Sequence, residues 1–141
     1  VTLHPLPAPA SRWLALREAR FQDRDGQERS WEVCLRVGAG RERERGEIDA
    51  VDVIPFLKGP GPACLLLVLQ FRPPIQAWSL EFPSGLVEPS ESPTTACVRE
   101  LLEETGYTGE LVEMSAPVPY EPGMTASCCR IATVEVSVCE G

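Results

Sequence analysis

Residues 85–107, GLVEPSESPTTACVRELLEETGY, contain the signals that decide how the rest of the chain is interpreted. Ser92 is a good helix N-cap, and Pro93 suits the first helical turn because its nitrogen needs no intrahelical partner there. Gly106 suits the left-handed residue that closes a helix. The stretch therefore predicts a loop followed by one amphipathic helix. The side chains expected to face a sheet or the preceding loop are Ala96, Leu101 and Leu102.

Acidic side chains crowd this predicted helix and its approach, at Glu91, Glu100, Glu103 and Glu104. Residues three and four apart share a helix face, so Glu100 lies beside both Glu103 and Glu104. Each such pair costs roughly 0.2–0.5 kcal/mol on an exposed helix, and Arg99, four residues before Glu103, offsets part of that cost. The crowding is typical either of a solvated acidic face or of a cage of oxygen ligands for Mg²⁺.

The spacing across this stretch resembles the loop–helix signature of the Nudix hydrolases. The matching residues are Gly85, Glu91, Arg99, Glu100, Glu103, Glu104 and Gly106. Tyr107, where the family has a small aliphatic residue, is the one departure. The resemblance implies an α/β fold, the Nudix α/β/α sandwich with a mixed sheet. It also implies hydrolysis of a nucleoside diphosphate that is linked to another group.

The resemblance implies a metal site of two or three Mg²⁺ ions, with Mn²⁺ as a substitute. Glu100 and Glu104 are the expected direct ligands, and Glu103 is the next. The backbone at Ser84 and Gly85 is expected to join them, because glycine permits close approach. The family's ADP-ribose branch commonly has alanine at position 84, but a backbone role survives that change.

The resemblance also implies the catalytic residues, which are Arg99, Glu103 and Glu104. Arg99 is expected mainly to orient Glu103. Glu91 is expected to support the loop or to reach an outer metal ion.

Motifs outside the signature resemble the ADP-sugar pyrophosphatase branch, which cleaves ADP-ribose. They are QFRPPIQAWSLEFPSGLVEPSES (70–92), YEPGMT (120–125) and an Asp25-Gly26 hairpin with a tryptophan on either side. The resemblance runs from Trp13 to the C-terminus and implies that ADP-ribose and water give AMP and ribose 5-phosphate. In this branch a late loop supplies a catalytic or water-positioning glutamate, which we expect to lie beyond Gly141.

The branch holds adenine between two tryptophans from the two subunits of a dimer, which implies a homodimer and assigns these roles to Trp13 and Trp31. The alternative for both is ordinary packing on the hairpin. Glu32 would contact the adenine edge. Other implied substrate contacts are Arg36 and Arg72 to the phosphates or terminal ribose, Phe71 and Leu86 lining the pocket, and Glu121 near the terminal ribose. For Arg72 the alternative is a surface ion pair.

Composition limits the class of protein. The 141 residues are 43% hydrophobic, enough for the core of one domain or part of one. A net charge of −8 argues against a nucleic-acid partner. Six cysteines without a CxxC pair, no signal-peptide pattern and no membrane-length apolar run predict a cytoplasmic protein, with nuclear residence also open.

Three segments are expected along the chain. Residues 1–11 read as a flexible tail, and residues 12–46 as an N-terminal antiparallel hairpin for dimerisation and adenine binding. Residues 47–141 read as the Nudix core, with its C-terminal part missing. Within that core the apolar run ACLLLVLQF (63–71) predicts a central strand buried on both faces.

Two other functions stay open at this stage. One is hydrolysis of a different nucleoside diphosphate derivative, such as a UDP-sugar or an oxidised guanine nucleoside diphosphate, because stacking tryptophans accept any base. The other is a non-catalytic nucleotide-binding module on the same scaffold.

Overall fold

The computed structural model describes residues 12–38, 41–42 and 47–138, so the predicted tail at 1–11 lies outside the described residues. The elements in chain order are β1 (Leu14–Gln22), β2 (Glu28–Gly38), β3 (Arg41–Glu42), β4 (Ala50–Lys58), β5 (Cys64–Leu65), β6 (Val68–Arg72), β7 (Ala77–Glu81), β8 (Ser84–Leu86), α1 (Pro93–Thr105), β9 (Glu110–Met114), β10 (Val118–Pro119) and β11 (Cys128–Ser137). They fall into two compact units. One, the hairpin unit, contains the described residues up to 47 together with 119–128; the other, the core unit, contains 48–118 and the strand from 129.

The hairpin unit begins with β1 and β2, which pair antiparallel from Leu14 opposite Arg36 to Gln22 opposite Glu28. Asp23 organises the turn, since its carboxylate accepts from the backbone N–H groups of Asp25 and Gln27 at 2.9 Å each. Gly26 supplies the left-handed residue, with φ 74°. The predicted antiparallel hairpin is confirmed.

The segment 119–128 packs on β2 within the same unit. The Cys34 N–H donates to the Met124 carbonyl at 2.8 Å, and Cys34 forms an isolated parallel bridge with Thr125. Trp31 Nε1 donates to the Gly123 carbonyl at 2.8 Å. These bonds join residues about 90 positions apart in sequence, and no local pattern of residues indicated them.

The core unit is built on a mixed sheet. β4 pairs parallel with β11, β8 pairs antiparallel with β4, and β9 pairs antiparallel with β11. Alternate residues of β4 and β11 are buried, because successive side chains of a strand point to opposite faces. The buried cluster joins these strands to the helix and includes Val51, Val53, Val134, Val136, Ala96, Cys97 and Leu101. The predicted mixed α/β fold is confirmed.

The helix α1 has the predicted ends. The Ser92 side chain accepts from the Thr95 N–H at 3.1 Å, Pro93 occupies the first turn, and Gly106 has φ 76°. The Gly106 N–H donates to the Leu102 carbonyl at 2.8 Å. No helix in the described part of the chain has the length and apolar character needed to cross a bilayer.

One detail of the helix face differs from the prediction. Leu102 is 47% exposed, because it shares the outward stripe with Val98, four residues before it. Cys97 is buried in its place beside Ala96, and burial raises the pKa of its thiol to about 11. Cys97 therefore acts as a small core residue.

The prediction for residues 63–71 was wrong. The run divides into β5 and β6; β5 pairs with β4, and β6 pairs with β7 in a separate two-stranded sheet. Leu69 is 61% exposed, and the central strand is β4 instead. The end of this apolar run alternates between two faces of β6. Leu69 and Phe71 occupy one face, and Gln70 and Arg72 occupy the other.

We expect Gly106→Ala to lower the free energy of unfolding by about 1–2 kcal/mol, because alanine is strained in the left-handed conformation. Gly61→Ala is the matched control, since a Cβ there meets no atom within 4 Å and its φ lies outside the left-handed range. Urea unfolding of both variants measures the difference. Equal loss in the two variants would contradict the assigned helix end.

Candidate active site

Glu100 and Glu104, one helical turn apart on α1, both lie against the backbone of residues 84 and 85. Glu104 Oε2 accepts from the Ser84 N–H at 3.0 Å. The Glu100 carboxylate lies over Gly85, so closely that a Cβ on that glycine would be 2.0 Å from both Cδ and Oε1. The two carboxylates therefore line the same short stretch of β8.

The sheet fixes the backbone under these carboxylates. Gly85 is opposite Val51 and Ser84 is opposite Asp52 in the β8–β4 ladder. Glu100 is only 9% exposed although it carries a charge. Glycine at position 85 leaves room for the Glu100 carboxylate, which any side chain there would displace.

Arg99 connects the other acids of the signature. Its guanidinium donates to Glu91 Oε1 at 3.0 Å and Oε2 at 2.9 Å, to Glu100 Oε1 at 2.7 Å and to Glu103 Oε2 at 3.1 Å. A fifth bond runs to the Leu86 carbonyl at 3.0 Å. Arginine has five N–H donors, so these contacts use its whole capacity.

The charges in this network stabilise one another. The hydrogen bond from Arg99 lowers the pKa of Glu91, and the bond from the Glu88 N–H adds to this effect. The same contact with Glu91, followed by that with Glu100, raises the pKa of Arg99. Arg99 was expected mainly to orient Glu103, but it also ties Glu91 and Glu100 to the loop. The Glu103 side chain is 57% exposed and stands at the solvent edge of the group.

The polar face of β6 and β7 adds two side chains that the sequence analysis did not select. Gln70 Nε2 donates to Glu104 Oε1 at 2.9 Å. Glu81 binds Arg72, which donates through Nε at 2.9 and 3.1 Å and through Nη2 at 2.5 Å. The hydrogen bond with Glu81 is the main cause of the raised pKa of Arg72. The negative charge of Glu104 raises this pKa further. The alternation of polar and apolar residues along 68–72 and 77–81 was the signal that could have identified both.

Phe71 and Leu86, the predicted pocket residues, are 42% and 48% exposed. Phe71 packs edge-on against Trp78, with ring centroids 6.0 Å apart. Because Phe71 and Arg72 are consecutive in β6, their side chains lie on opposite faces of that strand. The structure therefore brings Arg72, but not Phe71, to the face that carries Gln70.

The predicted adenine-binding residues belong to the hairpin unit. Trp13 and Trp31 are 64% and 56% exposed, so neither ring is buried in the packing of this unit. Trp13 lies opposite Val37 and Trp31 opposite Ala19, which places both rings on one face of the hairpin. Six residues separate them along the strand, a distance of roughly 20 Å at about 3.3 Å per residue.

The other predicted contacts of this unit are exposed. Glu32 and Arg36 are four residues apart on the face of β2 opposite to Trp31. Glu121 is in the segment that packs on β2, where its carbonyl accepts from the Met124 and Thr125 N–H groups at 2.9 Å each.

The chemistry of the donors in the core unit fits a hard divalent cation. Glu100 and Glu104 offer carboxylate oxygens beside a backbone that glycine leaves open, and Mg²⁺ prefers oxygen ligands. Among the described residues, no three His, Cys, Asp or Glu side chains already converge on one point as a complete cage. Arg99 draws Glu91, Glu100 and Glu103 together, so a cation would share these acids with the guanidinium.

Comparisons with known proteins point to one family. A family model described as NUDIX domain matches residues 46–127. An ADP-sugar pyrophosphatase of Mus musculus is 40% identical over 89% of this chain and 56% of its own length. An ADP-ribose pyrophosphatase of Saccharomyces cerevisiae is 36% identical over 90% of this chain and 54% of its own. The chain thus spans just over half the length of these curated relatives.

A solved structure titled as an ADP compounds hydrolase superposes with a TM-score of 0.63. It is 20% identical, and the match covers 93% of this chain and 65% of that chain. At this identity the likeness concerns the fold alone.

We expect Gly85→Ala to weaken the binding of Mn²⁺ about 10-fold or more, because the added methyl group displaces the Glu100 carboxylate. The displaced atoms are the end of a flexible side chain, so the fold should persist. Gly59→Ala is the control, since its nearest atoms would be 4.0 Å away. Titration followed by the paramagnetic resonance of free Mn²⁺ measures affinity. Unchanged affinity in Gly85→Ala would exclude Glu100 as a ligand.

Proposed function

Because this chain belongs to the NUDIX domain family, we propose that it hydrolyses the diphosphate of ADP-sugars, converting ADP-ribose and water to AMP and ribose 5-phosphate. The observation that carries the proposal is the placement of Glu100 and Glu104 against the Ser84–Gly85 backbone. The choice of substrate follows the names of the mouse and yeast relatives.

Nudix hydrolases generally need a divalent metal, and Mg²⁺ is the ion we propose here. Glu100, Glu104 and the backbone at residues 84–85 would hold it, with Glu103 at the exposed edge. Bound there, the metal would supply charge neutralisation of the diphosphate and activation of a water molecule. A chain with net charge −8 needs such neutralisation to accept an anionic substrate.

The arginines of the core unit have different tasks in this proposal. Arg99 makes five bonds to loop and helix and therefore has no donor left for substrate. Arg72 gives Glu81 its Nε and Nη2 donors, and its Nη1 has no partner among the described residues. A phosphate oxygen is the natural acceptor for that nitrogen, since guanidinium groups suit phosphate geometry.

The hairpin unit would bind the adenine. An aromatic ring stacked on a base contributes roughly 1–3 kcal/mol. Trp13 and Trp31 are about 20 Å apart on one hairpin, so they can enclose a single base only if they come from different copies. We therefore propose a homodimer in which Trp13 of one copy and Trp31 of the other stack on the same adenine.

The first test measures AMP release from ADP-ribose with Mg²⁺ for this chain, for a version extended at its C-terminus, and for Glu104→Gln and Glu113→Gln in the extended version. We expect Glu104→Gln to lose activity about 100-fold or more, because an amide oxygen carries no charge for the cation. Glu113→Gln is the control, the same change at an exposed position of β9. Absence of AMP release by the extended version, or equal activity of the extended version and both of its variants, would refute the proposed reaction.

The second test mixes two inactive variants. Trp13→Ala and Trp31→Ala should each bind ADP-ribose weakly at both sites of a dimer. Dimers formed by co-refolding the two would be about half mixed, and each mixed dimer would keep one intact tryptophan pair. We therefore expect roughly a quarter of the unaltered activity to return. Activity that stays at the level of the single variants would argue against a shared adenine site.

A further inference from the structure

The carboxylate of Glu104 is held at both oxygens by neutral donors. Gln70 Nε2 donates to Oε1 at 2.9 Å, and the Ser84 N–H donates to Oε2 at 3.0 Å. The donors come from β6 and β8, two strands in different sheets. Within the described part of the chain, Glu104 forms no ion pair, in contrast to the three acids that share Arg99.

This difference matters for binding a cation. A carboxylate that is paired with a guanidinium has part of its charge already balanced, and an incoming divalent ion must compete with that partner. An amide donor fixes the orientation of a carboxylate without cancelling its charge. An ionised carboxylate has about four lone-pair sites, and the two bonds to Glu104 leave about two of them for a cation.

The β6–β7 hairpin carries both an amide donor, Gln70, and a guanidinium group, that of Arg72, but only the amide bonds to Glu104. Gln70 and Arg72 share a face of β6, so either could reach an acid on that side. Arg72 is retained by its bonds to Glu81 on β7. Gln70, opposite Ser79 in the ladder, is the one that contacts Glu104. The neutral group thus meets the proposed ligand while the cationic group is held by another acid.

We propose that Gln70 is a positioning residue for Glu104, holding its carboxylate in the orientation that a divalent cation needs. The inference rests on the metal use in the proposed function. It adds a residue outside the loop–helix signature to the metal site. Apolar residues at position 70 would leave Oε1 without its donor, and an acid there would repel Glu104.

The test is Mn²⁺ binding without nucleotide, measured by paramagnetic resonance and by titration calorimetry, for Gln70→Met and Gln70→Asn. Methionine keeps the length of the side chain but removes the donor, whereas asparagine keeps the amide but is too short to reach. We expect Mn²⁺ affinity to fall about 10-fold in both, the usual effect of removing the hydrogen-bond partner of a ligand. Gln22→Met, an exposed change in β1, is the control and should bind like the unaltered chain.

Circular dichroism melts accompany the binding data, so that loss of folding is not mistaken for loss of affinity. If Gln70→Met melts early, Gln70→Asn decides, because it adds no bulk and keeps the position polar. Affinity equal to that of the unaltered chain in a folded variant would overturn the proposal, as would the absence of Mn²⁺ binding by the unaltered chain. The two proposals can fail separately. If the Gln70 variants bind Mn²⁺ more weakly but the test of the proposed function finds no AMP release, Gln70 keeps its role and only the proposed reaction is refuted.

Discussion

The contact between the Glu100 carboxylate and the Gly85 backbone is the constraint on which the rest of the core depends. It requires a glycine in β8, an acid that is almost completely buried, and a helix that packs on β4 and β8. A charged group is buried at such a position only when partners compensate for its lost hydration. Arg99 supplies that compensation from the neighbouring residue of the same helix.

Two types of partner organise the acids around this contact. Arg99 gathers Glu91, Glu100 and Glu103 and ties them to the loop through the Leu86 carbonyl. Neutral N–H donors from two strands hold Glu104 instead. The first arrangement lowers the mutual repulsion of closely spaced carboxylates, and the second leaves Glu104 without a direct bond to a guanidinium group. Together these contacts fix the positions of the acids on the loop and the helix.

Local sequence signals predicted the features that depend on neighbouring residues. The Asp25-Gly26 hairpin, the Ser92 cap and the left-handed Gly106 all appear as expected, because each follows from the conformation of a few consecutive residues. The run at 63–71 was misjudged for the converse reason. Whether an apolar strand is central depends on which strands pair with it, and hydrophobicity alone cannot say.

The sequence by itself determined the helix with its acidic face, the glycine that admits a carboxylate, and the family to which this pattern belongs. These are matters of spacing along one segment, where the 3.6-residue period places side chains without reference to the rest of the chain. Only the tertiary structure decided that Gln70 meets Glu104 across 34 residues, that Glu81 retains Arg72, and that Gly123 fixes Trp31 across 92. Such contacts depend on strand pairing and on the packing of separate elements, which no local period encodes.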